Sequence, residues 1–106
     1  MFTFIESSVF TKYRESYLND ETYRMLQLFL LMQPEAGKII KGTGGVRKLR
    51  WKRLNTGKSG GVRIIYYVQY NPNEFWLLTI YAKSKQDTIP AHIAKKLKEL
   101  FEHGKS

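Results

Sequence analysis

Three strand-like runs separated by two turns occupy residues 44–85, and they leave little choice for the rest of the chain. The first, Val46-Arg47-Lys48-Leu49-Arg50-Trp51-Lys52-Arg53, follows Gly44-Gly45. A stretch rich in Gly, Ser and Asn, from Asn55 to Gly61, leads into Val62-Arg63-Ile64-Ile65-Tyr66-Tyr67-Val68. Asn71-Pro72-Asn73 is a second turn signal, and Phe75-Trp76-Leu77-Leu78-Thr79-Ile80-Tyr81-Ala82-Lys83 is the third run. Strand side chains alternate, so Val46, Lys48, Arg50 and Lys52 share one face of the first run, and Arg47, Leu49 and Trp51 the other. The second run puts Val62, Ile64, Tyr66 and Val68 opposite Arg63, Ile65 and Tyr67. Its near-continuous apolar character predicts a central strand buried on both sides. The third places Trp76, Leu78 and Ile80 on one face, with Leu77, Thr79, Tyr81 and Lys83 on the other.

Charge is concentrated in the same ribbon. Of the net +9, residues 1–40 carry four Lys/Arg against five Asp/Glu, and residues 41–85 carry ten against one. A localised positive field of this kind is the footprint of a polyanion-binding face. Solubility alone would not require the excess to sit mid-chain. A length of 106 residues with 42% hydrophobic residues predicts one domain, residues 1–106, with a single core. No apolar run is long enough to span a membrane, and Met1 to Glu6 is too short and too soon interrupted to read as a secretory signal. There is no cysteine, which excludes thiolate catalysis and disulfides and makes a reducing cytoplasm the expected location.

The flanking segments read as support for the ribbon. Phe2 to Ile5 is a short strand. Ser7 or Ser8 caps a helix whose Phe10, Tyr13, Tyr17 and Leu18 share a face. Asn19-Asp20 ends it and caps a second helix, from about Glu21 to Gln33. Tyr23, Met25, Leu26, Leu28, Phe29, Leu30, Leu31 and Met32 make that helix apolar on more than one side, so it is either deeply packed or has a second face for a partner. Pro34 and Gly37 stop it, and Ile39 to Gly45 reads as a connector. Thr88-Ile89-Pro90 opens a last helix with Ile93, Leu97, Leu100 and Phe101 as its stripe and Gly104 as its end. The expected architecture is α+β in the order βααβββα: a small, mainly antiparallel sheet with a helical hairpin packed on it and a C-terminal helix, the helices on one side.

Familiar catalytic sets are missing. His92 and His103 fall on the last helix, away from the ribbon. No metal-ligand spacing occurs, Gly42-Thr43-Gly44-Gly45 leads into a strand rather than a phosphate-binding helix, and Glu74 is the one acidic residue between 41 and 85. No cofactor or metal is expected. The ribbon instead supplies cations interleaved with tyrosines. Arginine clamps phosphate through paired hydrogen bonds, a crowded lysine can move a proton, and tyrosine can stack on an unpaired base. Such a set could hold an RNA phosphodiester and stabilise its pentacovalent transition state, with the ribose 2′-hydroxyl as nucleophile. Residue types alone favour binding without catalysis, and Arg63 has an alternative role in pairing with a carboxylate such as Glu6 or Glu74.

Three segments, Gly42-Thr43-Gly44-Gly45-Val46-Arg47-Lys48-Leu49-Arg50, Gly60-Gly61-Val62-Arg63-Ile64-Ile65-Tyr66-Tyr67 and Leu77-Leu78-Thr79-Ile80-Tyr81-Ala82-Lys83, together resemble the RelE superfamily of bacterial toxins, and more closely its HigB branch. The resemblance covers nearly the whole chain in element order. It implies a microbial RNase-like fold and ribosome-dependent cleavage of mRNA in the decoding site, without metal. It also implies neutralisation by a cognate antitoxin, in the HigB branch usually a HigA-like helix-turn-helix protein. By that likeness Arg63 would contact the scissile phosphate, Lys48 and Arg50 would hold substrate and help deprotonate the 2′-hydroxyl, and Lys83 would assist the leaving oxygen. Lys52, Arg53, Lys58, Tyr67, Tyr81 and Lys85 would bind RNA around them. The sequence departs from the family pattern in having Lys83 where an arginine is usual, and Ile89 near the place of a base-stacking tyrosine. The alternatives are a non-catalytic RNA- or ribosome-binding module, and an inactive relative that acts with its antitoxin in repression.

Overall fold

The computed structural model describes residues 1–52, 61–83 and 88–104. Eight elements follow in order: β1 (Thr3–Glu6), α1 (Ser8–Tyr17), α2 (Asp20–Met32), β2 (Lys38–Ile39), β3 (Arg47–Trp51), β4 (Val62–Tyr70), β5 (Asn73–Ala82) and α3 (Ala91–Glu102). The strands form one sheet in the order β1-β5-β4-β3-β2. β1 runs parallel to β5, and the other neighbours are antiparallel. The expected α+β class, helical hairpin and central β4 all hold. Among the described residues no helix is long and apolar enough to cross a membrane.

The hairpin forms where its caps dictate. Ser7 Oγ accepts from Phe10 N (3.0 Å) and donates to the Leu78 carbonyl (2.7 Å), so one side chain starts α1 and ties it to β5. A cap of this kind is worth about 1 kcal/mol. Asn19 does the same for α2, accepting from Thr22 N at 2.8 Å. Phe10, Leu18, Tyr23, Leu26 and Leu30 then pack on Leu49, Val62, Ile64, Tyr66, Val68, Phe75, Leu77 and Ile80. The apolar excess of α2 divides in two: Leu26 and Leu30 are fully buried, whereas Leu28 is 56% and Met32 83% exposed. The helix therefore has a second, solvent-facing apolar side.

Three expectations need correction. First, Ile39, read as the start of a connector, instead belongs with Lys38 to a short edge strand, in which Lys38 pairs with Lys48 and Ile39 with Arg47; two residues are too few for alternation to show. Second, the helices are not all on one side. α3 lies on the other face of the sheet, where Ala94, Leu97 and Phe101 join Val46, Ile65, Trp76, Leu78, Tyr81 and Ile89 in a second core. β4 is buried on both faces because both are covered, as its uninterrupted apolar run requires.

Third, β5 does not alternate throughout. Ile65 pairs with Thr79 but Tyr66 with Leu77, leaving Leu78 as an extra residue. This β-bulge reverses the phase of everything after it. Ile80 consequently joins Leu77 on the hairpin face, while Tyr81 shares the α3 face with Trp76 and Leu78.

Candidate functional site

The α3 face of the sheet is only partly covered by the helix, and the basic residues occupy the open part. Arg50 on β3 pairs with Arg63 on β4, and Arg63 pairs in turn with Tyr81 on β5. Lys83 follows β5, its amide donating to the Gly61 carbonyl at 3.4 Å. The bulge at Leu78 sets Tyr81, and two residues later Lys83, on the Arg63 face; bulges commonly re-aim side chains in this way. A cleft of about 450 Å³ results, lined by Ala36, Lys38, Lys48, Leu49, Arg50, Arg63, Lys83 and Thr88.

The four residues expected to do chemistry, Lys48 and Arg50 on β3, Arg63 on β4 and Lys83 in the turn after β5, thus line one cavity. They are graded in exposure: Arg63 is only 4% accessible, Lys48 is half-buried, and Arg50 and Lys83 are exposed. Arg63 is the one buried charged side chain among the described residues. Neither carboxylate considered as its partner stands beside it. Glu74 pairs with Gln69, six residues further along β4, and accepts from Trp76 Nε1. Glu6 pairs with Leu77 on β1's side of the sheet and accepts from Thr11 and from Tyr23. Burial and the Glu6 contact push the Tyr23 phenol pKa upward, burial being the larger cause.

The described lining of the cleft carries no carboxylate, histidine or cysteine. Four cations and Lys38 around a concave opening give a strongly positive, walled site of the kind that concentrates field on an anion. The planar guanidinium of Arg63, at the cleft floor, suits a phosphate with its two oxygens accepting in parallel.

The tyrosines expected to stack on a base are placed elsewhere. Tyr67 packs on Trp76 (ring centroids 5.0 Å apart), with Lys98 Nζ over its ring at 4.4 Å. Tyr81 is buried in the second core and lines a separate, more apolar cleft with Tyr13, Tyr17, Ile89, Ile93 and Leu97. Lys52 is exposed just beyond β3 and is not among the cleft's lining residues. Arg53, Lys58 and Lys85 lie outside the described residues.

Two polar lining residues carried no functional signal in the sequence: Thr88, taken only as a helix opener, and Lys38. A clamp holds the segment that delivers Lys38. Tyr66 Oη donates to the Pro34 carbonyl (2.9 Å) and accepts from Gly37 N (3.0 Å). Arg47 Nη1 donates to the carbonyls of Gly37 (2.7 Å) and Glu35 (3.1 Å). Gly37 is required because a Cβ there would lie 2.8 Å from the Tyr66 ring and 3.1 Å from the Lys48 carbonyl. Burial pushes the Tyr66 phenol pKa up, consistent with a neutral hydroxyl that both donates and accepts.

No family model matches the sequence. Among solved structures, a mutant of the E. coli toxin RelE in the free state is similar with a TM-score of 0.57, over 90% of this chain and 94% of that one, at 12% identity. The chain has the RelE-like fold.

Proposed function

We propose that this protein is the toxin of a type II toxin–antitoxin pair and a ribosome-dependent endoribonuclease acting on mRNA. The observation that carries the reading is the convergence of Lys48, Arg50, Arg63 and Lys83 in one cleft of a RelE-like sheet. The reaction is transesterification. The ribose 2′-oxygen forms a bond to phosphorus as its proton passes to a base, and the bond from phosphorus to the 5′-oxygen breaks as that oxygen gains a proton. The products are a 2′,3′-cyclic phosphate and a free 5′-hydroxyl. Arg63, fixed on the cleft floor, stabilises the charge that builds on the phosphoryl oxygens. Lys48 and Arg50 hold the strand and assist loss of the 2′ proton. Lys83 assists departure of the 5′-oxygen. Strands β3 and β4 hold Lys48, Arg50 and Arg63 before substrate arrives, and Lys83 is carried by the turn after β5; such prior placement is how geometry lowers a barrier.

The partner in this reading is a cognate antitoxin, a small helix-turn-helix protein encoded alongside. The decisive experiment is controlled expression of the wild type and Arg63→Ala, with mapping of mRNA 5′ ends. Growth arrest with new cuts within translated codons, absent for Arg63→Ala, is the expected result. Arrest without new cuts would make the protein a binding module instead, and equal cutting by both would remove Arg63 from the chemistry.

A further inference from the structure

We propose that Lys38 and Lys48 form a second phosphate subsite, one nucleotide step from the Arg50–Arg63 pair; this rests on the RNA-cleaving role proposed above. The register is the evidence. Lys38 is the direct cross-strand neighbour of Lys48, and Arg50 of Arg63. Both pairs lie on the α3 face of the sheet and line the same cleft. Lys48 and Arg50 are two residues apart along β3, so the centres of the two pairs, on either side of that strand, are separated by roughly 8 Å, within reach of one step of an extended, unstacked single strand. A cationic track that follows the backbone is how single strands are held without reading their sequence.

The fold fixes Lys38 in place where an edge residue would otherwise be loosely held. β2 is only two residues long, yet the residues before it are pinned by Tyr66 Oη and by Arg47, and Gly37 packs where no side chain fits. Arg63 is buried, whereas Lys38 lines the cleft but is an exposed residue. Its role is therefore positioning of the neighbouring phosphate and not the chemical step.

Two short ligands separate the pairs: a dinucleoside monophosphate, with one phosphate, and a trinucleoside diphosphate, with two. Their binding to the purified protein is followed by NMR titration, and that of a longer single-stranded RNA by fluorescence anisotropy across salt concentrations. Lys38→Ala is expected to weaken the trinucleotide and the long RNA by about threefold to tenfold and to lower the magnitude of the salt slope by about one. It should leave the dinucleotide unchanged. Lys38→Arg should restore binding, and Lys95→Ala, which removes the same charge from the exposed side of α3, should act within about twofold of wild type on every ligand. In ribosomal cleavage Lys38→Ala should raise KM and spare kcat. Equal weakening of both short ligands, or an effect no larger than that of Lys95→Ala, would overturn the subsite. If Arg63→Ala still abolished cleavage in that case, the proposed function would stand without it. Absence of RNA binding and cleavage in the wild type would overturn both.

Discussion

Arg50 and Arg63 face each other directly across the β3–β4 ladder, and Arg63 is buried. Like charges opposed in this way destabilise a sheet, so the pair is an arrangement that stability alone would not select. Arg50→Gln is expected to raise unfolding free energy by about 0.2–1 kcal/mol in urea titrations at low salt. The gain should shrink at high salt, where exposed charge is screened. The same variant should bind single-stranded RNA less tightly. A drop in stability would mean that Arg50 is held by favourable contacts and that the opposition costs nothing.

The alignment of that pair depends on how β4 begins. Gly61 has φ +53°, and a Cβ there would fall 2.4 Å from the Trp51 carbonyl oxygen and 3.1 Å from the Lys52 Cα. Both neighbours are backbone and cannot swing away. Gly61→Ala should therefore cost at least about 2 kcal/mol, more than the entropic gain usual for a Gly→Ala change. Chemical denaturation measures this. A neutral or stabilising result would show that β3 and β4 separate at this end more easily than their register implies.

How legible this arrangement was in the sequence depended on the length of each signal. Long alternating or continuous runs placed β3, β4 and β5, and with them the shared cleft of Lys48, Arg50, Arg63 and Lys83. The Ser7-Ser8 pair and Asn19 announced both helix starts, Ser7 being the serine that caps α1. Lys38 stayed hidden because two residues carry no period, and the segment before it is held by Tyr66 on β4 and Arg47 on β3. The reversal at Leu78 was equally invisible, since a bulge is defined by register against a partner strand. The side taken by α3 is a tertiary choice: its stripe would fit either face. The surroundings of the two tyrosines were hidden for a related reason. Tyr67 and Tyr81 sit on the correct face, but Trp76, Lys98 and the α3 core engage them there.

The second helix offers a test of the two apolar sides that its sequence left ambiguous. Leu26 is fully buried among hairpin and sheet residues, and Leu28 is more than half exposed. Leu26→Ala should cost about 2–5 kcal/mol, while Leu28→Gln should stay within about 0.5 kcal/mol of wild type. Thermal or urea unfolding of the isolated protein reads both. A large loss for Leu28→Gln would mean that this side is covered in solution, as it would be in a self-associated form, and dilution would then expose the difference.

Tyr23 and Tyr66 make the fold sensitive to alkali. Both phenols have raised pKa values in the folded protein, chiefly because they are buried. Above about pH 10 the unfolded chain releases these protons while the folded chain keeps them. The unfolded state then binds fewer protons, so stability, fully present below that pH, falls as pH rises. The slope is at most about 1.4 kcal/mol per pH unit for each group. Tyr66→Phe should be less stable than wild type near neutrality by about 1–3 kcal/mol, because the Gly37 amide loses its acceptor in a buried place. Its curve should nevertheless be flatter above pH 10, so that the two curves converge. Tyr70 has its pKa raised mainly by its hydrogen bond to Glu35, but it is exposed, and Tyr70→Phe should run nearly parallel to wild type. Urea midpoints measured from pH 8 to 11 decide the matter. If the Tyr66→Phe and wild-type curves stay parallel above pH 10, the Tyr66 phenol ionises without unfolding the protein, and the clamp that holds Lys38 is looser than its hydrogen bonds indicate.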